Sequence, residues 1–157
     1  MSYPFKKVLF PTDFSDLSLS ALPFARSMAD GADAELHCIH VVDDAFQYWS
    51  ALGPESIPIG PPPEELLDMG RKRMEKFIAQ HLSGLKKTVV PHVAVGRPFS
   101  EIIAYARDRK IDLIVMGTHG RGAIAHMLLG STTEKVVRKA PCAVLTVRPQ
   151  GQDFEMP

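Results

Sequence analysis

The residue types with the densest chemical promise are four small ones in a fixed pattern: Gly117, Gly120, Gly130 and Ser131, with Thr132 and Thr133 directly behind. A polyphosphate needs several backbone N–H donors converging on it with no Cβ atoms in the way. Glycines at a strand end permit that approach. A helix N-terminus adds free N–H groups and a dipole that favours anions by ~0.3–1 kcal/mol per nearby charge, up to about 2 when partly buried. Taken singly, each glycine is equally well explained as a turn, and Ser131 as a helix cap. Ser131 and Glu134 stand in S-x-x-E spacing, which predicts a capping box, with Val136, Val137 and Ala140 as the apolar face behind it. The order of apolar run, two spaced glycines, third glycine and hydroxyl-rich helix start points to an anion cradle rather than to punctuation.

Other chemistry is weaker or absent. Asp13 follows the apolar segment 7–11; its carboxylate suits a loop hydrogen bond, a ribose hydroxyl or water on a metal, and its chemistry alone leaves these open. His37 and His40 form an H-x-x-H pair within segment 34–42. Strand side chains alternate, so residues three apart face opposite sides and cannot chelate one ion. Cys38 and Cys142 lack a C-x-x-C partner and read as buried thiols. Gly120 to Ala125 formally fits G-x-G-x-x-A but does not directly follow its strand, and no acid lies ~20 residues on to take a ribose. Neither a G-x-x-x-x-G-K-[ST] loop nor a G-x-S-x-G elbow occurs. Eighteen basic residues balance eighteen acidic ones, so nothing favours nucleic acid or an anionic membrane as a partner. With no apolar run of signal or membrane-spanning length, the expectation is a soluble cytoplasmic protein.

The elements that must position these residues alternate strand and helix. Segments 7–11, 34–42, 88–95, 111–116 and 142–147 read as strands. Helices are expected from about Ser15, over 64–82, from Pro98, and after Gly130. The first helix has its stripe at Leu17, Ala21, Phe24, Ala25 and Met28, and Pro23 predicts a kink or a loose first turn there. The second, over 64–82, should turn Leu67, Met74, Ile78 and Leu82 inward. Such alternation gives one α/β domain over 1–148: an open parallel five-stranded sheet with helices on both faces. Order 3-2-1-4-5 places the Pro91 strand at an edge, where proline is tolerated, and the most apolar strands, first and fourth, in the middle. Chain progression reverses between those two, and that crevice is where open α/β sheets bind ligands. Asp13 and Gly117 both leave from it. Residues 43–63 are an irregular Pro-rich loop with Phe46, Tyr48 and Trp49, either a lid, a mobile flap or a segment anchored to the domain; 149–157 read as a polar tail.

The pattern G-x2-G-x9-G-[ST], with KKVLFPTDFSD at the start and APCAVLTVRP near the end, resembles the universal stress protein family over about residues 4–148. The resemblance implies a Rossmann-like fold that binds ATP, with Mg2+ on its phosphates. It places Gly117, Gly120, Gly130, Ser131, Thr132 and Thr133 around the phosphates and Pro11, Thr12, Asp13 and Val41 near the nucleoside. Met116 lines the pocket and Arg121 steadies phosphate. The resemblance further implies a homodimer through the edge strand Ala143 to Val147, and a regulatory or signalling role in the stress response with a protein partner that the sequence does not name. A slow enzyme that hydrolyses or transfers part of ATP, or an interaction protein with an empty site, are the alternatives.

Overall fold

The computed structural model describes residues 5–43, 60–119 and 129–149. In chain order the elements are β1 (Lys7–Pro11), α1 (Asp16–Leu19), α2 (Leu22–Gly31), β2 (Glu35–Asp43), α3 (Pro63–His81), β3 (Val90–Gly96), α4 (Pro98–Asp108), β4 (Leu113–Gly117), α5 (Ser131–Lys139) and β5 (Ala143–Val147). The strands form one parallel sheet in the order β3-β2-β1-β4-β5, as the alternation and Pro91 predict. Lys7 pairs with Glu35 and Pro11 with Ile39, while Val8 pairs with Leu113. The strand ends carrying Thr12 and Gly117 therefore emerge beside each other. Pro91 is exposed on the edge strand β3.

Period-two alternation divides the strands between two cores. Val8, Phe10, Leu36, Cys38 and Val115 face α2 and α3, packing on Ala25, Met74 and Phe77. Leu9, Ile39, Ile114 and Met116 face α4 and α5, packing on Ile102, Tyr105 and Val136. Phe10 and Phe77 stack with centroids 6.3 Å apart, and Phe14 adds a third ring 5.4 Å from Phe77. Burial pushes the Cys38 thiol up to about 12 and raises that of half-buried Cys142 too.

The second core contains polar groups. His37 is buried, with Nδ1 2.8 Å from the Tyr105 hydroxyl and Nε2 3.3 Å from the Glu35 carboxylate. A carboxylate can only accept, so the neutral imidazole carries its hydrogen on Nε2 and Nδ1 accepts from tyrosine. Burial holds His37 below its ordinary pKa, against the opposing hydrogen bond and charge of Glu35. His92, 4.6 Å from the Tyr105 ring, is lowered by burial and then by Arg109. His37 and His40 do face opposite sides, with different partners.

Three local expectations fail, each for a geometric reason. The first helix is two: α1 ends at Leu19 and α2 restarts at Leu22 with Pro23 in its first turn. There the missing N–H is no loss, because first-turn donors have no intrahelical acceptor. The break resets the helical phase, so Ala21, Leu22, Ala25 and Ala29 are buried while Phe24 and Met28 are 44% and 38% exposed. On α5, Val136 is buried but Val137 is 46% exposed, since neighbours on a helix are about 100° apart and cannot both face the sheet. In α3, Met74 and Leu82 point inward as expected, but Phe77 and Gly70 do the burying alongside Met74 where Leu67 and Ile78 are only partly covered.

Candidate functional site

A cleft of about 770 Å3 opens over the carboxyl ends of the strands, at the crevice between β1 and β4. It lies in the size range of small-molecule sites. One wall is the β1–α1 turn with Pro11, Thr12 and Asp13; the floor includes Val41 and Met116; the other wall is Gly117, Gly130 and the start of α5 with Ser131, Thr132 and Thr133. Ten sequence-predicted positions thus meet at one cavity. Gly120 and Arg121 lie outside the described residues, as does most of the Pro-rich loop with Phe46, Tyr48 and Trp49.

The β1–α1 wall is fixed by side-chain hydrogen bonds. Thr12 Oγ1 accepts from the Phe14 N–H at 3.0 Å and is 2.9 Å from Ser18 Oγ. Asp13 Oδ1 accepts from both the N–H (2.9 Å) and the hydroxyl (2.5 Å) of Ser15. Ser15 caps α1 through its Oγ to the Ser18 N–H. Beneath the turn, His40 Nδ1 lies 2.9 Å from the Thr12 carbonyl, which accepts, so that nitrogen carries the hydrogen. The result is an Asp carboxylate held by Ser15 at a strand end.

The other wall is made of backbone. Gly130 is the N-cap of α5 and contributes no side-chain cap; Ser131 is the first helical residue, and the expected capping box with Glu134 does not form. Glu134 pairs instead with Arg138 one turn on, at 3.0 Å. A glycine cap supplies no side-chain acceptor to the first-turn N–H groups, and Ser131, Thr132 and Thr133 of that turn line the cleft. Thr133 is buried and donates its hydroxyl to the Gly117 carbonyl at 2.9 Å, tying the helix start to the end of β4. The Gly130 N–H donates to the Thr118 carbonyl at 2.7 Å, so the excursion between them starts and ends at one point. His119 also lines the cleft, with Nδ1 3.0 Å from Thr118 Oγ1.

Gly117 lines the cleft and also sits at a close packing seam. A Cβ there would meet the Leu17 carbonyl at 2.8 Å and the Ser18 Cα at 3.4 Å, so its hydrogen faces α1 rather than open cleft. The glycine lets β4 and α1 close on each other. A bulky residue would strain that seam instead of leaving the fold intact.

The third side of the cleft is one that sequence reasoning missed: Leu66, Met69, Gly70 and Arg73 of α3, with His40 below. The available signal was Gly70, an isolated glycine inside a helical pattern, which marks close approach. A Cβ at Gly70 would lie 2.7 Å from Val93 Cγ1. Phe14 was missed as well. Its backbone is left-handed (φ 63°), a conformation that costs an L-residue roughly 1–2 kcal/mol. A smaller depression, lined by Leu22 and Pro23 at the start of α2 and by Gln80 and His81 at the end of α3, is crossed by Arg26, which donates to the carbonyls of His81 and Ser83.

Comparison with known proteins places this geometry. A universal stress protein of Methanocaldococcus jannaschii is 34% identical over 151 residues, covering 92% of this chain and 82% of its own. The solved structure of another protein from that organism, described as a test case for assigning biochemical function from structure, superposes with a TM-score of 0.78 at 30% identity, covering 95% of this chain and 99% of its own. A universal stress protein solved in complex with cAMP shares the fold at 23% identity and a TM-score of 0.67, over 92% of this chain and 98% of its own. The model of the universal stress protein family itself matches residues 4–148, and this chain belongs to that family.

Proposed function

We propose that this protein is an ATP-binding regulatory module in which occupancy of the cleft, rather than turnover, carries the signal of a stress response. The observation that supports it most is the glycine-capped N-terminus of α5 opening opposite the anchored Asp13 carboxylate across one cavity. Phosphates would lie on the N–H groups of Ser131, Thr132 and Thr133 beside Gly130. The ribose hydroxyls would donate to Asp13, the adenine edge would meet the backbone at Val41, and Met116 would pack below. The neighbour solved in complex with cAMP binds an adenosine phosphate on the same fold, which fits this reading. Among the described residues no group of three or more His, Cys, Asp or Glu gathers to hold a metal, so Mg2+ would arrive on the phosphates. Regulation would act through assembly. β5 ends the sheet, its apolar residues are incompletely covered, and a second copy pairing there would complete it.

Titration calorimetry with ATP and Mg2+ tests the binding. The wild type should bind, and Asp13→Asn, which keeps an acceptor for Ser15 but loses the charge, should weaken binding about ten- to hundredfold, the loss of a charged hydrogen bond. No binding by the wild type at millimolar ATP overturns the reading. Turnover within the ~1–100 s⁻¹ of kinases would favour the enzyme instead. Light scattering should find a dimer that Leu145→Lys loosens; a wild-type monomer at high micromolar concentration removes the assembly half.

A further inference from the structure

Phe14 is a bulky residue in a left-handed conformation, directly between Asp13 and the Ser15 that Asp13 accepts from. Such a backbone persists only where the surroundings over-determine it. Here they do so through the ring. His40 lies 4.4 Å from its centroid, Phe77 of α3 5.4 Å, and the exposed Arg73 guanidinium, also of α3, 4.9 Å. The same His40 bonds the Thr12 carbonyl on its other side, and the Phe14 N–H is fastened to Thr12 Oγ1. The ring is thus clamped against a helix that itself forms a wall of the cleft, through Gly70 and Arg73.

We infer that Phe14 is a positioning residue for ribose recognition: the stack of Arg73, Phe14 and His40 holds the turn in the one backbone conformation that aims the Asp13 carboxylate into the cleft, and so sets preference for ribose over sugars lacking hydroxyls. The inference rests on the proposed role of Asp13. It adds that selectivity at Asp13 depends on the docking of α3, which grips the neighbouring Phe14 ring through Phe77 and Arg73. Arg73, which also lines the cleft, holds the ring from the solvent side.

The test compares dissociation constants for ATP and for 2′,3′-dideoxy-ATP, which has the same base and phosphates but neither hydroxyl. Phe14→Gly accepts the left-handed backbone and removes the clamp. It should weaken ATP about tenfold while changing dideoxy-ATP less than about twofold, so that the ratio falls to that of Asp13→Asn. Phe14→Tyr, which keeps the ring, should retain the wild-type ratio. Arg73→Met alters an exposed side chain that also lines the cleft and should fold even if the glycine variant does not; loss of a direct phosphate contact would weaken both ligands equally, whereas loss of the clamp should lower the ratio about two- to fivefold, the share of one cation–π contact. Equal weakening of both ligands in Phe14→Gly, or unchanged ratios in it and in Arg73→Met, overturns the positioning role. Wild-type ATP binding without any discrimination overturns the Asp13 assignment, and this inference with it. Discrimination lost in Asp13→Asn but kept in Phe14→Gly overturns this inference alone.

Discussion

The two faces of the sheet solve the same packing problem with different materials. Under α2 and α3 the core is mainly apolar, with His40 buried at its upper end, and its tallest feature is the column of Phe10, Phe77 and Phe14. Under α4 and α5 the core admits a hydrogen-bonded chain of Glu35, His37 and Tyr105. The aromatic column runs upward to the cleft, and its last ring belongs to the turn that carries Asp13. The polar chain lies lower on β2, three residues before His40. The contrast teaches that one face carries structural information to the site, while the other holds His37 and His92, whose protonation burial disfavours.

The most damaging way to break this contrast is Phe77→Ala, which removes the middle of the column. The expected loss is ~3–5 kcal/mol in urea denaturation, the usual cost of deleting a buried aromatic ring. A loss below about 1 kcal/mol would show that the column is not what holds α3 to the sheet. Next is Gly117→Val, which strikes the seam where β4 meets α1. With the Leu17 carbonyl 2.8 Å from the new Cβ, about 1–3 kcal/mol should be lost through overpacking. Full stability with weakened ATP binding would restore the phosphate role that the sequence suggests for this glycine.

The smallest effect sharpens the comparison from the polar side. His37 and His92 are both depressed below the ordinary value of 6.5. Between the folded and unfolded pKa values the unfolded chain binds more protons, so stability should be full above about pH 6.5 and fall as pH drops below it. His37→Gln should flatten that slope in thermal melts taken from pH 8 to 5. A slope identical to wild type would assign the proton dependence elsewhere.

Much of the fold was legible because it rests on alternation. Pro91 marked the edge, the double-sided apolar runs marked β1 and β4, and the order of the sheet followed. The candidate site was legible where backbone placement decides it: Asp13 after β1, Gly117 after β4, Gly130 before α5. What escaped were features set by packing between elements. A S-x-x-E spacing cannot tell whether serine caps a helix or begins it, and here Gly130 takes the cap. The burial of Phe24 or Leu22 depends on where α1 breaks from α2, since each residue of offset turns the helical face by about 100°. The α3 wall of the cleft arises from contacts with β3 and Phe14, across long sequence distances that local pattern does not register.

Pro91 has a consequence for stoichiometry. Of the two strands that end the sheet, β3 carries a residue with no N–H to offer, while β5 carries an unbroken row of peptide groups from Ala143 to Val147. A sheet with two receptive ends can recruit copies indefinitely and grow into a fibre. With only one receptive end, the proposed pairing of two copies there would leave both far ends blunt and would stop the count at two.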